Sequence, residues 1–291
     1  MAKCKMARWR NSEFVKTALS LLFLLCFAVL PKIALSQTDY EFWFAAPAVT
    51  HEFVSPAPFQ RQNLNHPIRL YLTTSGAPAT VLIDQPANLS FDPIKVTVYN
   101  TNAKVVDLTP FIDSIENTPS NTVLNRGLHI LSNRPISASY EVVSPFNAET
   151  WALFGRNALG YEFIVPAQNH YNNYEYANPP ARNSFEIVAI EDSTVVRILP
   201  KQEIEGHVAN DTFSILINKG QTWSGRAVYG DSTKHLGGTS CFPTSQLPSA
   251  CAMMRCMSQA RMQVRSMLPD ASLSPAIFWE PNTCLAVNKE T

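Results

Sequence analysis

Between Gln37 and Ser240 the chain has no cysteine and no methionine, and after Gly238 it has no glycine. With no thiol in that long middle stretch there can be no disulfide and no thiolate metal site, so its core has to hold by packing alone. Basic clusters are also missing. Leaving out residues 1–36 and 241–291, 13 Lys and Arg stand against 19 Asp and Glu, a balance of about −6. That excludes nucleic acid and an anionic membrane surface as the main partner, because both require grouped cations. There is no G-x-S-x-G elbow for a serine nucleophile and no pair of histidines one helical turn apart. No stretch of the middle zone sustains a period of 3.6 residues, so a helical domain is not expected.

The longest apolar run, Thr17 to Leu30, is 14 residues. It falls short of the roughly 20 needed to span a bilayer. Lys3, Lys5, Arg8, Arg10 and Lys16 precede it, and the small residues Ala34 and Ser36 follow. These are the three regions of a secretory signal, with cleavage expected between Ser36 and Gln37. The mature chain is then exported, secreted or held at the cell surface, with no membrane span of its own. An exported core without disulfides points to a bacterial surface protein rather than a small disulfide-framed animal module.

Residues 37–240 are written as strands. Tyr40–Ala46, Ile68–Thr74, Thr80–Asp84, Ile94–Tyr99, Leu128–Ser132 and Ile136–Val143 are short β-branched or aromatic runs separated by Pro, Asn, Asp and Gly. In the second of these, Leu70 and Leu72 face one way and Arg69, Tyr71 and Thr73 the other, the alternation of a half-buried strand. Asn133–Pro135 and Glu191–Thr194 carry turn chemistry and read as hairpin corners.

The pattern restarts after about 120 residues. YEFIVPA at Tyr161 parallels YEFWFAA at Tyr40, FEIVAIEDSTVVRILP from Phe185 parallels IRLYLTTSGAPATVLIDQP from Ile68, and FSILINKGQTW from Phe213 parallels IKVTVYNTNAKVV from Ile94. The chain is therefore expected to be all-β, with two tandem antiparallel sandwich-like modules at 37–160 and 161–240, the second incomplete. A β-propeller is the alternative architecture. In the repeat register HLGGT, His235 to Thr239, falls opposite RGLHI. From Cys241 the strand pattern stops and cysteines and methionines crowd in. Building each codon from the third base of one residue and the first two of the next permits FSDKPIAVSMRDDEV, and NILGTEY further on. Met253–Met254 dictates Asp there, and Trp279–Glu280 dictates Gly. Residues 241–291 are thus expected to be a frameshifted tail, and the full-length product to carry further domains. A second module ending there would lack a central strand pair and be poorly stable.

No cofactor is expected. His51 and Glu52 are adjacent, but the six histidines are scattered and do not have metal-ligand spacing. Glu141, Glu149, Glu162 and Glu175 leave open a pair of carboxylates for sugar hydrolysis, without support from their spacing. Trp151 reads as core or edge filling. The most suggestive segment is AQNHYNNYEYANPPARN, Ala167 to Asn183. Tyr171, Tyr174 and Tyr176, with His170 and Asn172, make a polar aromatic surface of the kind that stacks on sugars or anchors a protein. The alternative for this loop is a crossover packed on a sandwich edge.

The motifs GLHILSNRPISASYEV, NALGYEF and FEIVAIEDSTVV together resemble the IgGFc-binding protein N-terminal domain family over about Tyr40 to Thr239. The resemblance implies a surface binding role and carries over no individual binding residue. The expectation is a non-enzymatic secreted or cell-surface binding or adhesion module, whose partner is a protein or glycan at the cell exterior. A structural spacer of a larger surface protein and a carbohydrate-active hydrolase are the alternatives.

Overall fold

A computed structural model describes residues 38–49, 52–53, 67–144, 147–160, 162–167, 172, 177–178, 180–243, 252–255 and 285–286. Its first seven sheet-forming strands are β1 (Asp39–Phe44), β3 (Ile68–Thr73), β4 (Ala79–Asp84), β5 (Ile94–Val98), β6 (Lys104–Asp107), β7 (Leu128–Ser144) and β8 (Asn147–Leu153). The short β2 (Glu52–Phe53) pairs instead with β10 (Ala177–Asn178). One element organises this group. The first half of β7 pairs with β1 and β4, and its second half pairs with β3 and β8. The two halves thereby belong to two facing sheets that share a single strand.

The sharing corrects one expectation. Asn133–Pro135 is no hairpin corner, because β7 runs straight through it. It is where one strand leaves one sheet and enters the other. Thr80 N–H donates to Asn133 Oδ1 at 2.8 Å, and Arg134 N–H to Ser132 Oγ at 3.3 Å, so side chains there stand in for the interrupted ladder. The buried phase survives the bend, with Leu128 and Ile130 before it and Ile136, Ala138, Tyr140 and Val142 after it all facing the core. Glu191–Thr194 likewise joins strands of different sheets, since neither flanking strand pairs with the other. Ser193 takes φ of 56° there and its N–H donates to Asn218 Oδ1 at 2.8 Å.

The second group repeats the plan. It comprises β9 (Phe163–Ile164), β11 (Ser184–Ala189), β12 (Thr194–Leu199), β13 (Phe213–Ile217), β14 (Thr222–Arg226), β15 (Ser240–Pro243) and β16 (Ala252–Arg255). Its sheets run β13-β12-β15-β9 and β14-β11-β16, matching β5-β4-β7-β1 and β6-β3-β7. The registers match as well. Ile83 lies opposite Ile130, which lies opposite Phe42, and Ile198 lies opposite Cys241, which lies opposite Phe163. Buried Cys241 therefore holds the place of Ile130, and the segment opposite RGLHI is GGTSC, two residues beyond the register expected from sequence. A strand also stands where none was expected, because β16 occupies the position of the second half of β7 beside β11. β17 (Leu285–Ala286) adds to the other edge of β9.

The all-β class and antiparallel pairing are as expected. Ile68, Leu70 and Leu72 are fully buried while Arg69 and Tyr71 are half-exposed, as the alternation required. Phe42, Phe44, Leu70, Ile83, Ile130 and Tyr140 belong to one core, and Phe163, Phe185, Ile187, Ile198 and Trp223 to another. Each such side chain contributes about 1.5–3 kcal/mol on burial. Two of them match a typical disulfide at about 2–4 kcal/mol, so a core of this size needs no staples.

β11 differs from β3 in being buried on both faces. Its outer face meets the first group: Val188 packs with Trp43 and Ala45, Leu124 and Thr222 exchange backbone hydrogen bonds, and Gly127 N–H donates to Gly220 O at 3.0 Å. A side chain on Gly127 would sit 2.6 Å from that oxygen and 2.8 Å from Val188 Cγ2, so the approach needs glycine. Polar groups close the same junction. Asn121 N–H donates to Ser224 O at 2.8 Å, its Oδ1 faces His207 Nε2 at 2.9 Å, and Ser120 Oγ donates to Glu205.

Candidate functional site

Two depressions carry the polar groups that could meet a ligand. The first, a cavity of 410 Å³, opens at the end of the second group between Val165–Ala167, Lys201–Gln202, Ser232–Thr233 and Gly237–Gly238. Its rim is fixed by backbone bonds, Val165 N–H to Thr239 O at 2.8 Å and Gly238 N–H to Val165 O at 2.9 Å. Asp231 caps the turn at Ser232–Lys234, accepting from Thr233 N–H and Thr233 Oγ1, both at 2.7 Å. Those bonds hold its carboxyl below the usual range. Gln202 Nε2 donates to Thr233 O at 3.2 Å and ties the two walls together.

Of the five expected ligand-binding residues, only Asn172 is among the described ones. It is exposed, and its Oδ1 accepts from Ser232 N–H at 2.9 Å, which places Asn172 at the rim of this cavity. His170, Tyr171, Tyr174 and Tyr176 lie outside the described residues, as do Ser36 and Gln37 at the expected cleavage point.

The second depression, of 310 Å³, lies at the junction between Glu41, Trp43, Arg156, Leu159, Ile190, Glu191 and Lys219. His129 lies in the wall behind it, its Nδ1 2.9 Å from Asp84 Oδ1 and its Nε2 3.1 Å from Glu41 Oε1, with its ring stacked on Trp43 at 4.2 Å. Arg156 grips Glu41 Oε2 from Nε at 3.1 Å and Nη2 at 2.8 Å. Burial pushes the Glu41 carboxyl up, but the hydrogen bonds from Arg156 and Trp43 and the charge of His129 outweigh it and hold Glu41 low. Lys219 Nζ stands 5.6 Å above the Trp43 ring. Sequence reasoning missed this cluster, because Glu41 and Trp43, Asp84, His129, Arg156 and Lys219 come from five separate segments. The one local signal was Glu41 and Trp43 sharing a face of YEFWF.

The arrangement offers hydrogen-bonding and ionic contacts. Glu141 and Glu149 do not converge: they stand opposite Thr150 and Val142 respectively, on opposite faces of the sheet. Glu141 accepts from Thr150 Oγ1 at 3.0 Å, while burial pushes the Glu149 carboxyl up to about 8. Glu162 belongs to the second group of strands, and Glu175 is outside the described residues, as is His51. Among the described residues no three His, Cys, Asp or Glu are placed to hold a metal ion, and no helix is long and apolar enough to cross a membrane.

Polar depressions at a strand-end rim and at the junction of an all-β scaffold suit a binding role. Comparison with known families agrees: residues 149–256 match the model of the family described as IgGFc binding protein, and the resemblance seen in the motifs holds over that segment. The match runs from β8 through β16 and includes residues 241–256. Searches of curated proteins and of solved structures returned no match.

Proposed function

We propose that this chain is an exported, non-enzymatic adhesion module whose second β module presents its open end, with the loop bearing Tyr171, Tyr174 and Tyr176, to a glycoprotein or glycan outside the cell. The observation that carries the reading is the hydrogen bond from Ser232 N–H to Asn172 Oδ1 at 2.9 Å. It fixes Asn172, which stands between Tyr171 and Tyr174 in the sequence, beside a 410 Å³ cavity whose walls offer a lysine, a glutamine and two hydroxyls. Amides, hydroxyls and tyrosines are the groups that take sugar hydroxyls and sugar faces, or the polar surface of a protein. Export by the leader at residues 1–36, with cleavage between Ser36 and Gln37, places the site outside the cytoplasm.

The test is binding of the exported protein to a glycan and glycoprotein panel and to host cells, with Tyr171, Tyr174 and Tyr176 replaced together by Ala. Binding is expected to fall at least tenfold, about 1.4 kcal/mol, with thermal stability unchanged. Binding that is unchanged by the triple replacement would remove the loop from the site. A spacer role has its own support in the buried junction, which fixes one β module against the next through Gly127, Asn121 and Val188. Absence of saturable binding by the wild-type protein would favour that reading.

A further inference from the structure

The junction inside this chain is asymmetric. The second module gives the outer face of β11 and β14 and the turn carrying Gly220; the first receives them at the ends of β1, β4 and β7. Because the two modules share one strand plan, each half of that junction has a counterpart at the opposite end of the chain. The ladder registers identify it. On the receiving side Phe42 and Phe163 are equivalent, as are Ile83 and Ile198, and Ile130 and Cys241. Counting from these pairs, Trp43 corresponds to Ile164, Pro86–Ala87 to Lys201–Gln202, and Gly127 to Gly238. On the giving side Leu70 lies opposite Val106 as Ile187 lies opposite Trp223. Val188 therefore corresponds to Tyr71, and Thr222 to Val105.

Both counterparts are open. Trp43 is 3% exposed, whereas Ile164 is 41% exposed even with β17 paired beside it. Val188 and Thr222 are fully buried, whereas Val105 is 44% exposed and Tyr71 half-exposed, with Tyr99 beyond them in the β5–β6 turn at 58%. Where Gly220 packs on Pro86 and Ala87 in the first module, Lys201 and Gln202 line an empty cavity in the second. Among the described residues there are thus one completed junction and the two unmatched halves of another.

We propose that a second copy of this chain fills the open end of the second module, docking Tyr71 and Val105 of its first module against Ile164 and the Lys201–Gln202 and Gly238 rim. This names a partner for the end described under the proposed function and rests on that reading only in taking the end as a binding surface. The contact joins two different surfaces, so a pair of copies leaves one half of each kind free and each added copy presents a fresh receiving end. The product is a head-to-tail array in which the spacing between chains repeats the spacing between modules. Adhesion follows as homophilic contact between exported copies.

The test is sedimentation velocity of the purified chain over a range of concentrations, with Ile164→Glu and Val105→Glu each blocking one half of the contact. Wild-type protein is expected to form species larger than a dimer that grow with concentration, and each variant alone to remain a monomer. An equimolar mixture of the two variants retains one intact receiving end and one intact giving face, so it is expected to double in mass and stop. Misfolding cannot imitate that rescue. A wild-type protein that stays monomeric throughout overturns the proposal, as does a mixture that stays monomeric while both variants melt as wild type does. The glycan reading is scored separately by the tyrosine triple variant: lost glycan binding with self-association intact, or the reverse, separates the two.

Discussion

Glu186 is wholly buried between β11 and the junction, and replacing it by Gln isolates what its ionisation costs the fold. Its Oε1 accepts from Ser184 Oγ at 2.8 Å and Ser224 Oγ at 3.3 Å, while Oε2 has no partner among the described residues. Burial pushes its carboxyl up from 4.5 to about 8 against the smaller downward pull of the two serines. Between those values the folded protein holds a proton that the unfolded chain has released, so stability falls as pH rises. The contribution is complete below pH 4.5 and is lost through about pH 8. Each pH unit in that window costs about 1.4 kcal/mol, or about 4 kcal/mol from pH 5 to pH 8 as an upper bound, which local relaxation reduces. Glu186→Gln keeps the shape and abolishes the titration. At about pH 5 the two proteins should agree within about 1 kcal/mol, since the protonated acid and the amide present the same unmet donor. By pH 8 the variant should be the more stable. Urea unfolding at several pH values, with the m-value checked for constancy, reads the difference directly. Glu149, also raised to about 8, slopes in the same direction in both proteins and cancels. Parallel stability curves would refute the reasoning. A wild-type curve that rises with pH through the acid range would show Glu186 ionised in the folded protein and would overturn the assignment.

Gly127→Ala should wedge the junction open. The new methyl would meet Gly220 O and Val188 Cγ2 well inside contact distance, at a cost of about 1–3 kcal/mol, whereas Gly76→Ala has nothing within 4 Å to meet and should be silent. Differential scanning calorimetry checks both, with the Gly127 variant expected to lose several degrees. Resequencing the locus across codons 236–245 is expected to reveal an inserted or missing base, with a product that continues through NILGTEY; a confirmed reading frame would remove the frameshift proposal and leave β16 as the native partner of β11.

Most strands were legible because alternation is a local consequence of burying one face of a pleated ribbon. Ile68–Thr73 and Ile94–Val98 fell within a residue or two of their expected bounds for that reason. The corners were misread for an equally physical reason. Asn, Pro and Asp announce that a strand bends, but whether it then reverses or crosses to a facing sheet is decided by distant partners, here Thr80 for Asn133 and Asn218 for Ser193. The junction left one trace that was readable in principle. IRLYLT alternates, whereas its repeat FEIVAI is nearly continuous in apolar residues, the pattern of a strand covered on both faces. Of the candidate loop, Asn172 alone is among the described residues, and its bond to Ser232 was not readable from the sequence. The cluster of Glu41, His129 and Arg156 was invisible beforehand, because no spacing in the chain relates residues that meet only when β1 pairs with β7 and the segment after β8 folds back beside them.

The single strand shared by both sheets of the first module also has a mechanical meaning. A pull along β7 loads its pairings with β1, β4, β3 and β8 together, so they must shear in concert. In the second module the same role is divided between β15 and β16, four residues each and separated in the chain. Those can be peeled one after the other at lower force. Under tension along the chain, the second module would yield first and lengthen while the first stayed folded.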